Sequence, residues 1–331
     1  MNISAHKIVA TELKIKEQQV ESVARLFADG ATVPFIARYR KEATGSLDEV
    51  AIKEIEIRLE KLADLEKRRQ TISNSLIEQK LFSPELKQKI LAATSLSELE
   101  DLYLPYRPKR RTRSSVARER GLEPLADLLS KQPETLPEVL ARPFINPEKE
   151  VNNSLDALAG ARDIIAEKVS EDIDSRTRLR HLFRLESVIK AVLIKGQEQD
   201  GIKFRDYFDW QEKSVKVAGH RLLAMLRGER EKVLRISIRP PAEKALAILK
   251  KRFVRKNNLC AKEVEIALTD AYKRLLGPAL ETELRQSLKE KADAEAIAVF
   301  ATNLKELLMA PPLGEKRVLA LDPGFRSGAK F

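Results

Sequence analysis

Between Pro105 and Gly121 the sequence reads PYRPKRRTRSSVARERG, with seven basic side chains against the single acid Glu119, so this stretch holds +6 of the chain's formal +11. Cations at this density suit one task above others, the neutralisation of phosphates, which arginine can grip in bidentate fashion. Arg107, Lys109, Arg110, Arg111 and Arg113 lie beside Tyr103 and Tyr106, and rings next to cations add base stacking to phosphate contact. The same arginines can instead pair with acidic faces of neighbouring helices. A second concentration, Lys250, Lys251, Arg252, Arg255 and Lys256, places Arg252, Arg255 and Lys256 at helical spacing, where they form either a face that tracks a phosphate backbone or a solvated helix surface. A third, Arg38-Tyr39-Arg40-Lys41, looks structural as much as functional, and burial of its arginine stems against helices is the favoured reading.

Catalytic templates are missing. The chain has no G-x-S-x-G, no G-x-x-x-x-G-K-[ST], no G-x-G-x-x-G and no H-E-x-x-H. His6, His181 and His220 are far apart, and Cys260 is the only cysteine, which leaves no zinc ligand spacing and no intrachain disulfide. Cys260 reads as a small core residue in a reducing cytosol. Asp322 ends the apolar run Val318 to Leu321, where nucleases of the RNase H-like type place one metal ligand, but only nine residues follow it. Two-metal chemistry needs several converging carboxylates. The expectation is a chain with no catalytic residue, no metal site, no cofactor and no enzymatic activity.

These side chains need a frame. The 331 residues are 43% hydrophobic and 34% charged, with 12 glycines and 5% aromatics, a balance that favours helices over a Gly-rich β-sandwich. Ile52, Ile55, Leu59, Leu62 and Leu65 fall on one helix face. Ser46 with Glu49 before that stripe, and Ser95 with Glu98 before Leu99, have the spacing of capping boxes. Leu104 to Pro108 then forces extended backbone. Residues 131 to 150 carry four prolines, a connecting stretch with one short helix at Glu138 to Ala141. Leu155, Leu158, Ile165 and Val169 form a helical stripe, and Leu182, Leu185, Ile189 and Val192 another. From Lys195 to His220 the period lapses around Phe204, Tyr207, Phe208 and Trp210, which reads as a packed loop. Val233 to Ile238 reads as a short strand, Ala242 to Asn257 as a helix, and Leu280 to Leu308 as further helix ending before Pro311. Val318 to Leu321 reads as a lone terminal strand.

The fold class is therefore mainly α, an irregular multi-helical scaffold with a truncated C-terminal β-strand. The domain expectation is a first helical region over 1–195, with a basic subdomain over 64–130, a second helical region over 196–315, and the opening strand of another domain over 316–331. Met1 to Val20 lacks the apolar core of a secretory signal and no run approaches about 18 apolar residues, so the expected setting is a soluble protein of the cytoplasm.

Long strings carry a resemblance. TVPFIARYRKEATGSLDE (32–49), DLYLPYRPKRRTRSSVARERGLEPLA (101–126), ALAGARDIIAE (157–167), KFRDYFDW (203–210), HRLLAMLRGEREKVL (220–234) and LALDPGFRSGAK (319–330) resemble the N-terminal part of the bacterial Tex transcription accessory proteins, relatives of the eukaryotic elongation factor Spt-six. The resemblance implies a helical scaffold containing a helix-turn-helix-like element, followed from Val318 by the start of a YqgF, or RNase H-like, domain. Asp322 matches that domain's first acidic position, but the family's domain is regarded as lacking a full catalytic set. The implied role is non-enzymatic binding of RNA or DNA in transcription, with phosphate contacts from Arg107, Lys109, Arg110, Arg111, Arg113, Arg252, Arg255 and Lys256. The alternative is a helical protein-interaction module that docks RNA polymerase or ribosome-associated proteins, its arginines structural.

Overall fold

A computed structural model describes residues 4–108, 111–312, 314–319, 321–324 and 328–330. Two compact units emerge, one of Met1–Thr112 with Glu171–Ile173, the other of Arg113–Ser170 with Asp174–Phe331. The class is mainly α, as the composition implied. Among the described residues sixteen α-helices accompany one three-stranded sheet and a two-stranded hairpin.

The first unit holds α1 (Ala5–Leu13), α2 (Glu17–Ala28), α3 (Val33–Tyr39), α4 (Lys41–Thr44), α5 (Glu49–Glu78), α6 (Pro84–Ala92) and α7 (Leu96–Tyr103). The long helix α5 serves two cores. Its Ile52 and Ile55 pack with Val9, Val20, Val23 and Ile36, and its Leu65, Ile72 and Leu76 pack with Leu86, Ile90, Leu99 and Tyr103. The apolar stripe is as the spacing implied, but its cap is not Ser46. Gly45 and Ser46 both sit at positive φ, and Asp48 caps α5 by accepting from the Ala51 N–H at 2.8 Å. At α7 the Ser95 hydroxyl does accept from the Glu98 N–H at 3.2 Å, while the Glu98 carboxylate reaches back to the Thr94 N–H at 2.8 Å.

The second unit begins with α8 (Arg113–Glu119), α9 (Glu123–Ser130), α10 (Pro137–Ala141), α11 (Ser154–Ser170) and α12 (Ile173–Glu186). Helix α11 is central, burying Leu158, Ile164, Ile165 and Val169. Its Gly160 permits a close approach: a Cβ there would lie 2.3 Å from Leu122 Cδ1 and 3.3 Å from Ala117 Cβ. Next come β1 (Val188–Leu193), β2 (Asp209–Lys213), α13 (Gly219–Arg230), β3 (Leu234–Arg239), α14 (Ala242–Phe253), α15 (Leu259–Asp270), a π-helical stretch at Ala271–Leu276 and α16 (Gly277–Leu308). The sheet is antiparallel in the order β2-β1-β3. Its Ile189, Ala191, Ile236 and Ile238 pack with Leu222 and Met225 of α13 and Ala292 of α16. The outer edge of β3 is occupied by side chains: Ile236 N–H donates to Glu229 at 3.3 Å, Ile238 N–H donates to Glu281 at 2.6 Å, and Arg285 donates to Ile236 O at 2.9 Å. An edge filled in this way is no template for another strand.

Four expectations change. The stripe Leu182 to Val192 is not one helix, because α12 ends at Glu186 and the chain becomes β1, where Ile189 and Ala191 alternate inward with period two. The stretch from Lys195 to His220 is not only loop: it holds a 3-10 helix at Ile202–Tyr207 and the polar edge strand β2. Helix α14 stops at Phe253, not Asn257, because the buried Gln132 intercepts it. The Gln132 amide donates to Phe253 O at 2.7 Å and accepts from the N–H groups of Arg255 and Lys256 at 2.9 and 3.0 Å. Finally, Val318, Leu319 and Leu321 are exposed and form no strand; the backbone pairing comes just after them, with β4 (Asp322–Gly324) against β5 (Gly328–Lys330). The junction expected at 195/196 lies in the connection between β1 and β2, two strands that pair.

Candidate nucleic-acid interface

Tyr103 ends α7 and faces inward. Only 7% of its surface is exposed, its hydroxyl shares a hydrogen bond with Ser75 Oγ at 2.9 Å, and the Arg68 guanidinium lies 5.8 Å above its ring. Arg68 is itself held by Glu100, whose hydrogen bond raises the arginine pKa. Tyr103 is thus a core residue and offers no face to a base, which corrects the stacking role its position suggested. Tyr106 is half-buried against the same core. The turn that follows puts Arg107 on the surface, with its N–H bonded to Tyr103 O at 3.0 Å. Lys109 and Arg110 lie outside the described residues. Arg111 is exposed at the end of the first unit, and Arg113 is exposed at the start of α8 in the second.

Within α8 the environment reverses. Arg118 Nη1 donates to Glu167 at 2.6 Å and to Ser114 Oγ at 3.2 Å, and its Nε lies 3.5 Å from Glu123. Burial penalises this guanidinium, but the Glu167 and Glu123 carboxylates together offset that and leave its pKa raised. Arg120 is paired with Glu150. Arg118 and Arg120 therefore serve the packing of the second unit. Burial pushes the Asp163 pKa up, and the charges of Arg274, Arg113 and Arg162 pull it down without cancelling that rise.

The second cluster is largely engaged. Arg252 pairs with Asp174 at 2.6 Å and covers the Phe253 ring at 5.7 Å, Lys250 pairs with Glu265 at 2.6 Å, and Lys256 lies 3.5 Å from Glu134. Arg255 is exposed. Because α14 ends at Phe253, Arg255 and Lys256 do not continue a helical face with Arg252.

The third cluster is the one the sequence reading undervalued. Arg38, Tyr39, Arg40 and Lys41 are all exposed, as is Phe35, so their stems are not buried against helices. The cause is the phase of α3: Ile36 and Ala37 take the core side, which turns Phe35, Arg38 and Tyr39 outward at i, i+3 and i+4. That phase was available from Ile36-Ala37, an apolar pair flanked on both sides by ring and cation.

Among the described residues no three His, Cys, Asp or Glu side chains converge to hold a metal, and no helix is long and apolar enough to cross a membrane. Cys260 is buried, its thiol 3.2 Å from Thr135 O and its pKa raised by burial.

Comparison with known proteins agrees with the sequence strings. Residues 132–300 match the family described as Tex central region-like, and residues 3–77 match the Tex-like protein N-terminal domain. Protein tex of Bordetella pertussis is 43% identical over 336 residues, which cover 97% of this chain and 42% of that protein. Transcriptional accessory protein Tex of Neisseria gonorrhoeae is 41% identical over 339 residues, 100% of this chain and 44% of that protein. S1 RNA-binding domain-containing protein 1 of Homo sapiens is 28% identical over 346 residues, 100% of this chain and 34% of that protein. The chain spans less than half the length of these curated relatives. With its N-terminal and central regions both matched, one of them across half of its length, the chain belongs to the Tex family.

Proposed function

We propose that this chain is a non-enzymatic scaffold of the transcription machinery that contacts the phosphate backbone of RNA or DNA without reading sequence. The observation that carries this reading is the exposure of Arg107, just after the buried Tyr103, of Arg111, and of Arg113 at the start of α8. Lys109 and Arg110 add charge to the same stretch. Arg255 is exposed, and Arg252 and Lys256 take a lesser part, because a cation already facing a carboxylate gains less from a phosphate. The names of the relatives support the reading: one is called a transcriptional accessory protein and another carries an S1 RNA-binding domain in its name. The role belongs in the cytoplasm, alongside RNA polymerase or ribosome-associated proteins, and needs no cofactor.

The test is a fluorescence-anisotropy titration of the chain with a labelled duplex and a labelled single strand over about 50 to 200 mM salt, where log affinity falls by about 0.9 per log unit of salt for each duplex phosphate neutralised. A steep slope, independent of sequence, is the expected result. A flat response would overturn the reading in favour of a protein-docking module, for which the internal pairing of Arg118 and Arg120 is the supporting observation.

A further inference from the structure

The geometry points to a second nucleic-acid contact on α3 and α4, where unpaired bases stack on Tyr39 and Phe35 while Arg38, Arg40 and Lys41 take the flanking phosphates. It rests on the reading that this chain binds nucleic acid, but it uses none of the residues assigned there. Tyr39 is 69% exposed and Phe35 41% exposed. The two ring centroids are 5.4 Å apart with planes inclined at 45°, and the Arg40 guanidinium sits 5.5 Å above the Phe35 ring. Beside them opens a cleft lined by Leu26, Asp29, Gly30, Ala31, Thr32, Phe35 and Arg40.

Charge supplies the second argument. Arg58, Arg68, Arg69, Arg118, Arg120 and Arg162 each hold a carboxylate. Among the described residues Arg38, Arg40 and Lys41 hold none, although Glu42 and Asp29 are near in sequence. Three cations beside two exposed rings match a polyanion whose repeat carries a flat aromatic group. Only a single strand offers both, because a duplex hides its base faces and leaves the rings without a ligand.

The platform is also held in shape before any ligand arrives. Thr44 is buried, its carbonyl accepts from Gln19 Nε2 at 2.9 Å, and its hydroxyl donates to Arg40 O at 3.2 Å. Gly45 closes α4 in the left-handed conformation, donating its N–H to Lys41 O. A side chain on Gly45 would also come within 2.8 Å of Gln19 Nε2. Rigidity of this kind reduces the ordering cost of binding.

The experiment compares labelled oligouridylate, a duplex of equal length and labelled polyglutamate, each titrated into the 331-residue chain. Tyr39→Ala should weaken oligouridylate binding about 5- to 150-fold, the range for losing one stacked base, while Tyr39→Phe retains it and duplex affinity changes by less than about twofold. Replacing Arg38, Arg40 and Lys41 together with Gln should lower the single-strand salt slope by about 0.7 for each phosphate no longer neutralised. Thermal melting of each variant shows that the fold is kept, as exposure of these residues implies. If Tyr39→Ala leaves oligouridylate affinity unchanged while Arg107→Gln, Arg111→Gln and Arg113→Gln together reduce it, the platform is overturned and the proposed function stands. If the reverse holds, the platform stands and the assignment to Arg107, Arg111 and Arg113 falls. Polyglutamate binding with the same dependence on Tyr39 would make this a surface for an acidic protein and overturn the nucleic-acid assignment.

Discussion

Arg113 and Arg118 stand five residues apart on α8, drawn from the same basic string, yet their surroundings differ. Arg113 is exposed at the helix start. Arg118 is about two-thirds covered and clasped by Glu167, whose own side chain is only 10% exposed. The same contrast separates Arg38 to Lys41, which hold no carboxylate, from Lys250 to Lys256, most of which do. Local charge density thus identifies where cations are, and the carboxylates that folding brings from distant helices decide which of them remain available to a phosphate. Glu167 comes from a helix 49 residues away in sequence, so no local window could have shown it.

The widest separation between the two arginines should appear in stability. Arg118→Ala removes the cation that donates to the buried Glu167 carboxylate, and urea unfolding should show a loss of roughly 3–5 kcal/mol; a loss near zero would erase the distinction from Arg113. Gly160→Ala attacks the same pair indirectly, because the added methyl meets Leu122 and Ala117 and pushes α8 from α11, the helix that carries Glu167. Overpacking of this kind costs about 1–3 kcal/mol, read as a lower unfolding midpoint. Arg252→Ala removes a half-exposed pair with Asp174 and should cost about 0.2–1 kcal/mol by the same measurement. A larger loss would move the second cluster wholly into the structural class.

The smallest expected effect is a titration. Burial raises the Asp163 pKa above its ordinary value, with Arg113 among the cations that restrain the rise. A carboxyl raised in the folded state favours folding when protonated. Its contribution is complete below the ordinary aspartate range and is lost as pH rises through the folded value. Arg113→Gln should push the Asp163 titration higher still, followed by carboxyl carbon NMR; no movement would place Arg113 beyond electrostatic reach of Asp163.

Much of the helical frame was legible because its stripes are long and regular, as with Ile52 to Leu65. The short Pro137–Ala141 helix and the β3 strand were legible from the prolines that bound them. What failed did so for physical reasons. Leu182, Leu185, Ile189 and Val192 fit a helical period by coincidence across the α12–β1 junction, and β2 has too few apolar residues to announce a strand. The end of α14 depends on Gln132, more than a hundred residues upstream. In the candidate site the local charge located Arg107 and Arg113 but left open whether they were exposed or paired, and the burial of Tyr103 required the Ser75 and Arg68 contacts of α5. The exposed ring pair on α3 was passed over because its composition fits a buried helix as well as an open one.

The central claim is that the exposed arginines of one string and the two clasped by Glu167 and Glu150 have separable roles. It is tested most directly by measuring the salt slope of duplex binding for the chain and for its combined Arg107→Gln, Arg111→Gln and Arg113→Gln variant. The account predicts an unchanged melting temperature and a slope reduced by about 0.9 for each phosphate that the variant leaves unneutralised. An unchanged slope, or a variant that no longer folds, would contradict it.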